Sequence, residues 1–162
     1  MSPNASKQRL FASLLASGAS ILLFHTIMML SQGALGVLVF WVSALLIMEL
    51  LLDAACLLSS MRWWIGNDKN YADIPLRLGA AAAILHAVRV LVFVLGRIGP
   101  WIDFDVRPVQ RALHPTRWNW GELYFAAVMS VLGLIGVLVI WTFRRRAKKS
   151  KIDNQSEVSH PF

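Results

Sequence analysis

The sequence has a single cysteine, Cys56, among its 162 residues. One thiol forms no intramolecular disulfide, no CxxC redox pair and no zinc site with several thiolates, which excludes the membrane thiol oxidoreductases. The GxSxG, HExxH and P-loop motifs are also absent from the sequence. We therefore name no catalytic residue and no metal site, and we expect a protein that is not an enzyme.

Charged residues are scarce as well, at 15% of the chain against about a quarter in soluble domains. Apolar residues make up 57% of the chain, and the mean hydropathy is +0.57. Much of the formal net charge of +7 lies in a basic block at residues 144–151, directly after an apolar run. Such a block indicates membrane topology and not nucleic-acid binding. The composition is therefore that of a membrane protein.

Four apolar runs have the length of membrane-spanning helices, at residues 10–30, 34–58, 76–96 and 123–143. About 20 helical residues, each rising about 1.5 Å, cross a hydrocarbon core of ~30 Å. The first run is longer than the roughly 7–15 apolar residues of a signal peptide, so we expect it to be retained. The runs predict an all-α integral membrane protein with a four-transmembrane-helix antiparallel bundle.

The distribution of Lys and Arg predicts the orientation of this bundle. Eleven of them lie on the same side as the two chain ends, and four lie in the connection at 97–122. Positive residues favour the cytoplasm, so we expect a multi-pass protein of the plasma (inner) membrane with both ends cytoplasmic. Residues 1–9 then form a cytoplasmic tail, 97–122 an outer loop, and 144–162 a basic, disordered cytoplasmic tail.

Ionisable side chains interrupt the second and third runs. Glu49 and Asp53 lie four residues apart and share one face of a helix. The third run contains Arg77, His86 and Arg89. An unpaired charge at mid-bilayer costs at least roughly 2.5–3.5 kcal/mol. Comparing depths along antiparallel helices predicts that Glu49 pairs with His86 or Arg89, and that Asp53 pairs with Arg77.

Two interpretations fit this network of charges. In the first, opposite charges on neighbouring helices form a structural polar clamp with no further function. In the second, they form a proton or ligand pathway in which Glu49 titrates and His86 relays the proton. Both interpretations predict that Glu49→Ala is harmful, so only an exchange of the two charges distinguishes them.

A second candidate site pairs His25 of the first run with His86 of the third. These helices run in the same direction, and the two histidines lie within about one turn of the same depth. Two facing histidines are what a bis-imidazole haem b needs. However, each helix offers one histidine only, and a lone intramembrane histidine is also a common hydrogen-bonded packing residue.

The outer loop combines arginines with tryptophans. Such a segment suits either anionic lipid headgroups or a partner outside the cytoplasm. The candidate contact residues are Arg107, Arg111, Arg117 and Trp118. Small residues also recur at helix-packing spacing in three of the runs, and they serve either the bundle or a partner subunit.

The sequence favours a non-enzymatic accessory or anchor subunit of a larger membrane complex. Its size and topology resemble those of the small four-helix subunits of larger membrane assemblies. The expected partners are the lipid bilayer and either another membrane protein or a second copy of the chain. The alternatives are a small transporter or proton-coupled carrier using the intramembrane charges, and a haem b electron-transfer subunit. No cofactor other than that haem is suggested.

Overall fold

The computed structural model describes residues 3–66, 69–98, 104, 106–110, 124–125, 127–128, 130–136, 138–142 and 145. Its helices are α1 (Pro3–Ser31), α2 (Ala34–Val37), α3 (Phe40–Gly66) and α4 (Asp73–Ile98). Two short 3-10 turns occupy Lys69–Ala72 and Pro108–Gln110. No strand occurs in these ranges, so the all-α prediction is confirmed for them. Three helices, α1, α3 and α4, are long and apolar enough to cross a membrane.

Helix α1 packs along α3, and α3 packs along α4. The chain reverses after α1 at Gly33, whose φ of 81° is in the left-handed region that favours glycine. The N–H of Gly33 donates to the Leu30 carbonyl at 3.1 Å, and the N–H of Gly36 donates to the Gly33 carbonyl at 2.9 Å. These bonds close a tight reversal, which makes α1 and α3 antiparallel neighbours.

The sequence predicted one continuous helix for the second apolar run, but the structure divides this run into two helices. Helix α2 ends at Val37, and Leu38 is extended with a ψ of 151° before α3 begins. Leu38 forms an isolated antiparallel bridge with Val106 of the connection at 97–122, and the N–H of Arg107 donates to the Val37 carbonyl at 2.9 Å. The break therefore frees backbone groups that bind this connection.

The long helices extend beyond the apolar runs that predicted them. Helix α1 already begins at Pro3, so the described part of the predicted tail 1–9 is helical. Helix α3 continues to Gly66, eight residues past the predicted end, and α4 begins at Asp73, three residues before the predicted start. An acidic residue in the first turn, here Asp73, stabilises the start of α4.

Every described residue between 124 and 142 is helical, and Ser130–Thr142 is an apolar helix shorter than the other three. This segment lies against α4, because a Cβ added to Gly133 would lie 3.4 Å from that of Ala83. The predicted outer loop is described only at 104 and 106–110, and the predicted C-terminal tail only at Arg145.

Apolar side chains form two main packing centres at opposite ends of the long helices. Near the reversal after α1, the buried residues are Met29, Ala34, Leu38, Val42 and Leu46. At the other end, Ala12, Trp63 and Ala72 pack together. The buried ionisable side chains lie between these two centres, away from both ends of the helices.

Candidate functional site

The lengths of α3 and α4 bring four ionisable side chains together, and we call them the polar cluster: Glu49, Asp53, His86 and Arg89. Asp53 lies thirteen residues before the end of α3, and His86 lies thirteen residues after the start of α4. Glu49 and Arg89 lie seventeen and sixteen residues from the same two ends. Antiparallel helices with equal rise therefore place each acidic residue level with one basic partner.

Arg89 connects three helices through one guanidinium. Its Nε lies 2.7 Å from both carboxylate oxygens of Glu49. Its Nη1 lies 3.2 Å from the Sδ atom of Met29 on α1. Glu49 is fully buried and Arg89 is 6% exposed, so these contacts replace water on both charged groups. A charge-assisted bond of this kind is stronger than a neutral one.

His86 lies between the two acidic side chains of α3. Its Nε2 is 2.9 Å from Oδ2 of Asp53, and its Nδ1 is 3.4 Å from both Oε2 of Glu49 and Nη2 of Arg89. A neutral imidazole with the proton on Nε2 satisfies its neighbours, because Nε2–H donates to Asp53 and Nδ1 accepts from Arg89.

The predicted pairing of Glu49 matches the geometry, but the predicted pairing of Asp53 with Arg77 is wrong. Asp53 binds His86, and the Arg77 side chain is exposed four residues after the start of α4. The prediction measured depth from the ends of the apolar runs, at Leu58 and Pro75. Helix α3 extends eight residues beyond its run and α4 only three, so the level of each residue on α3 shifts relative to α4.

The two histidines of the haem hypothesis have different surroundings. Neither ring nitrogen of His25 has a hydrogen-bond partner among the described residues, and its ring lies 5.4 Å from that of Phe125. Both nitrogens of His86 are already in contact with the polar cluster. Ligation of a haem iron would require His86 to give up Asp53 or Glu49, so the pair offers only one open imidazole.

Arg107 binds the backbone of its own chain. Its guanidinium donates to the Leu38 carbonyl at 2.9 Å and to the Leu35 carbonyl at 3.1 Å, next to the break between α2 and α3. Beside it, the rings of Trp41 and Phe104 stack at 5.6 Å. Arg107 was predicted to contact headgroups or a partner, and these bonds give it an intramolecular role. The other predicted contacts, Arg111, Arg117 and Trp118, lie outside the described residues.

A cavity of about 290 Å³ lies between α1, α3, α4 and the Ser130–Thr142 helix. Glycines and alanines form much of its wall, and Asp53 is the one acidic side chain among the described residues that line it. A Cβ added to Gly18 or Gly136 would meet nothing within 4 Å, so these glycines leave open space. The small-residue spacing in three of the runs was interpreted as helix packing. Asp53 lies in the remaining run, so no local pattern linked it to a cavity.

Within the part of the chain that the structure describes, no three His, Cys, Asp or Glu side chains are arranged to hold a metal ion. Arg89 contacts both oxygens of Glu49, which leaves that carboxylate no free oxygen. No protein-family model, curated protein or solved structure matches the chain. The function is therefore argued from the geometry of the polar cluster and its helices.

Proposed function

We propose that the chain is a multi-pass protein of the plasma (inner) membrane that acts as a non-catalytic accessory or anchor subunit of a larger membrane complex. One observation carries this proposal: the four ionisable side chains of the polar cluster bind one another. Arg89 is joined to Glu49 at 2.7 Å, and His86 to Asp53 at 2.9 Å. Groups paired in this way stabilise helix contacts and leave little capacity for acid–base chemistry on a substrate.

The outer faces of the helices support a lipid environment. Large apolar side chains are more than half exposed on each long helix, for example Phe24 on α1, Leu51 on α3 and Leu91 on α4. Exposed apolar surface on every helix suits hydrocarbon, where the backbone polar groups must be satisfied within the helix. With the fourth apolar run at 123–143, the chain would cross the bilayer four times.

One end of the helices carries three contacts between an arginine and an aromatic ring. The guanidinium carbon lies 4.1–5.9 Å from the ring centroid in the pairs Arg9–Trp64, Arg62–Tyr71 and Arg145–Trp141. Aromatic side chains favour the membrane interface, and positive side chains favour its cytoplasmic face. This end is also the one at which the described chain begins and ends. It supports a cytoplasmic location for both ends.

A proton-coupled carrier is the second candidate function, and the position of His86 favours it. The two ring nitrogens contact Glu49 and Asp53, so one imidazole connects two carboxylates. Such an arrangement can pass a proton from one acid to the other. A single chain of four helices encloses little space, so this candidate also predicts a homodimer.

The first experiment is the native mass of the full chain after gentle extraction from its own host membrane. An excess over 18.1 kDa equal to another polypeptide supports the accessory-subunit proposal and identifies the partner. A homodimer supports the carrier, and an excess equal to a haem supports the electron-transfer alternative. A bare monomer contradicts the subunit proposal.

The orientation is tested by cysteine labelling in a Cys56→Ala background. Val109→Cys places a thiol in the outer loop, and Ser150→Cys places one in the C-terminal tail. A membrane-impermeant maleimide should label Val109→Cys in intact cells and Ser150→Cys only after permeabilisation. The opposite pattern would reverse the proposed orientation.

A charge exchange separates the clamp from the proton pathway. The double variant Glu49→Arg with Arg89→Glu keeps both charges between α3 and α4 but moves the carboxylate to the other helix. A clamp tolerates this exchange in part, since the attraction between the two groups is retained. A proton pathway loses its activity, because the titrating group no longer lies beside His86 in the original geometry.

A further inference from the structure

The charged side chain that lines the cavity described above is acidic. Asp53 lines it, and none of the described residues that line it is a Lys, Arg or His. The Arg89 guanidinium interacts with Glu49 and Met29, and it does not line the cavity wall. The cavity is therefore an apolar space with a single acidic group. Such an environment disfavours an anionic ligand.

The Asp53 carboxylate is only half satisfied. The side chain is fully buried, and its Oδ2 is 2.9 Å from Nε2 of His86. Its Oδ1 has no hydrogen-bond partner among the described residues. A buried carboxylate oxygen without a donor or positive charge nearby is costly, so a compensating group is expected at this position.

The charge balance of the polar cluster indicates the sign of that group. Glu49 is matched by Arg89, while Asp53 has only the imidazole of His86. Asp53 is therefore the carboxylate of the pair that has no guanidinium partner, and it lies next to the cavity. A positive group in the cavity would give Asp53 such a partner, and an apolar body would fill the rest of the space.

We propose that this cavity binds a hydrophobic organic cation, an amine or quaternary ammonium whose positive nitrogen lies against Asp53. The apolar body of the ligand lies along the glycines and alanines of α1, α4 and the Ser130–Thr142 helix. This site goes beyond the accessory role and does not depend on it, since a subunit of a larger complex can also bind a small ligand.

The size and the wall of the cavity agree with such a ligand. A volume of about 290 Å³ is near the lower limit of small-molecule sites, which suits a compact cation with one ring. Gly18 and Gly136 add open space to the wall, and any larger side chain there would occupy the cavity. If the glycines served helix packing alone, their Cβ positions would be expected to meet a neighbouring helix.

The test is isothermal titration calorimetry of the full chain in phosphatidylcholine nanodiscs, with empty nanodiscs as the reference. The probe is benzyltrimethylammonium, and benzyl alcohol serves as a neutral comparison of similar shape. Asp53→Asn removes the charge, and Gly136→Leu fills the cavity without replacing a residue of the polar cluster. Gly36→Leu is the matched control, because a Cβ at Gly36 also meets nothing within 4 Å but lies outside the cavity.

We expect the unmodified chain and Gly36→Leu to bind the cation with equal Kd. Asp53→Asn and Gly136→Leu should each raise that Kd about tenfold or more, the loss expected for an unpaired buried charge or a blocked site. Benzyl alcohol should bind more weakly than the cation and respond only to Gly136→Leu.

Three results would overturn the proposal. The first is no saturable binding of the cation to the unmodified chain. The second is equal affinity for the cation and the alcohol, which would make the cavity a neutral apolar space. The third is unchanged affinity in Gly136→Leu, which would place the cation elsewhere. If the Asp53→Asn variant does not fold, two comparisons still decide the question: the cation against the alcohol, and Gly136→Leu against the unmodified chain.

Discussion

The Nε atom of Arg89 lies 2.7 Å from both carboxylate oxygens of Glu49, and both side chains are buried. This contact joins two long helices, and the Glu49 carboxylate also lies 3.4 Å from Nδ1 of His86. Substitution of one residue would leave the other charged and buried without its partner, because the packing of α3 along α4 keeps that residue in place. The pair is therefore more sensitive to single than to double substitution.

Glu49→Ala and Arg89→Ala should each lower the free energy of unfolding by about 3–5 kcal/mol. The double variant Glu49→Leu with Arg89→Met should lose less than the sum of the two single losses, since no charge is left unpaired. Reversible unfolding in mixed detergent micelles measures all three. Arg77→Ala, an exposed arginine on the same helix, should change stability by no more than about 0.5 kcal/mol. Additive losses in the double variant would contradict the pairing.

The contact between His86 and Asp53 predicts which imidazole nitrogen carries the proton. Nε2 lies 2.9 Å from a carboxylate oxygen, so a neutral His86 should be protonated on Nε2. Nitrogen NMR of the histidine ring measures this directly. Asp53→Asn should keep the same tautomer, since the amide oxygen still accepts the hydrogen bond. Asp53→Ala removes this acceptor, so it should shift the tautomer equilibrium of His86 toward the ring protonated on Nδ1. A neutral ring protonated on Nδ1 in the unmodified chain would show that our assignment is wrong.

The polar cluster could be predicted in part from the sequence. Charges in apolar runs are costly, and this cost indicates that Glu49 must meet a positive group on another helix. The partner of Asp53 could not be predicted, because it depends on where α3 ends and α4 begins. Those ends lie at Gly66 and Asp73, outside the apolar runs, so the apolar pattern does not delimit them. An error of two turns in the helix ends changes the partner.

The break between α2 and α3 could not be predicted from the residues around it either. The residues around Leu38 are apolar and continue the run, so their pattern predicts an uninterrupted helix. The extended backbone there binds Arg107, whose guanidinium is 69 residues away along the chain. A contact at such a sequence distance depends on the complete fold. The three long apolar helices depend on local composition, and these were predictable.

Gly33 and Gly36 provide a matched test of the reversal after α1. A Cβ at either position meets nothing within 4 Å, but only Gly33 has a left-handed backbone, with a φ of 81°. Gly33→Ala should therefore cost about 1–2 kcal/mol through backbone strain. Gly36→Ala should be neutral or stabilising by up to about 1 kcal/mol, because alanine favours a helix more than glycine does. Thermal unfolding of the two variants measures the difference, and equal effects would contradict the left-handed turn.

Arg107 should hold the segment 106–110 against the break between α2 and α3. Its guanidinium donates to two carbonyl groups, so Arg107→Ala should make amide hydrogen exchange in the peptide 104–110 about tenfold faster, the effect of losing a charge-assisted bond. Arg107→Lys should restore this protection only in part, because an ammonium lacks the planar fork of the guanidinium. Val109→Ala, at a side chain that is 80% exposed, is the control and should leave exchange unchanged. Equal exchange in all variants would mean that the backbone contacts of Val106 and Arg107 hold the loop by themselves.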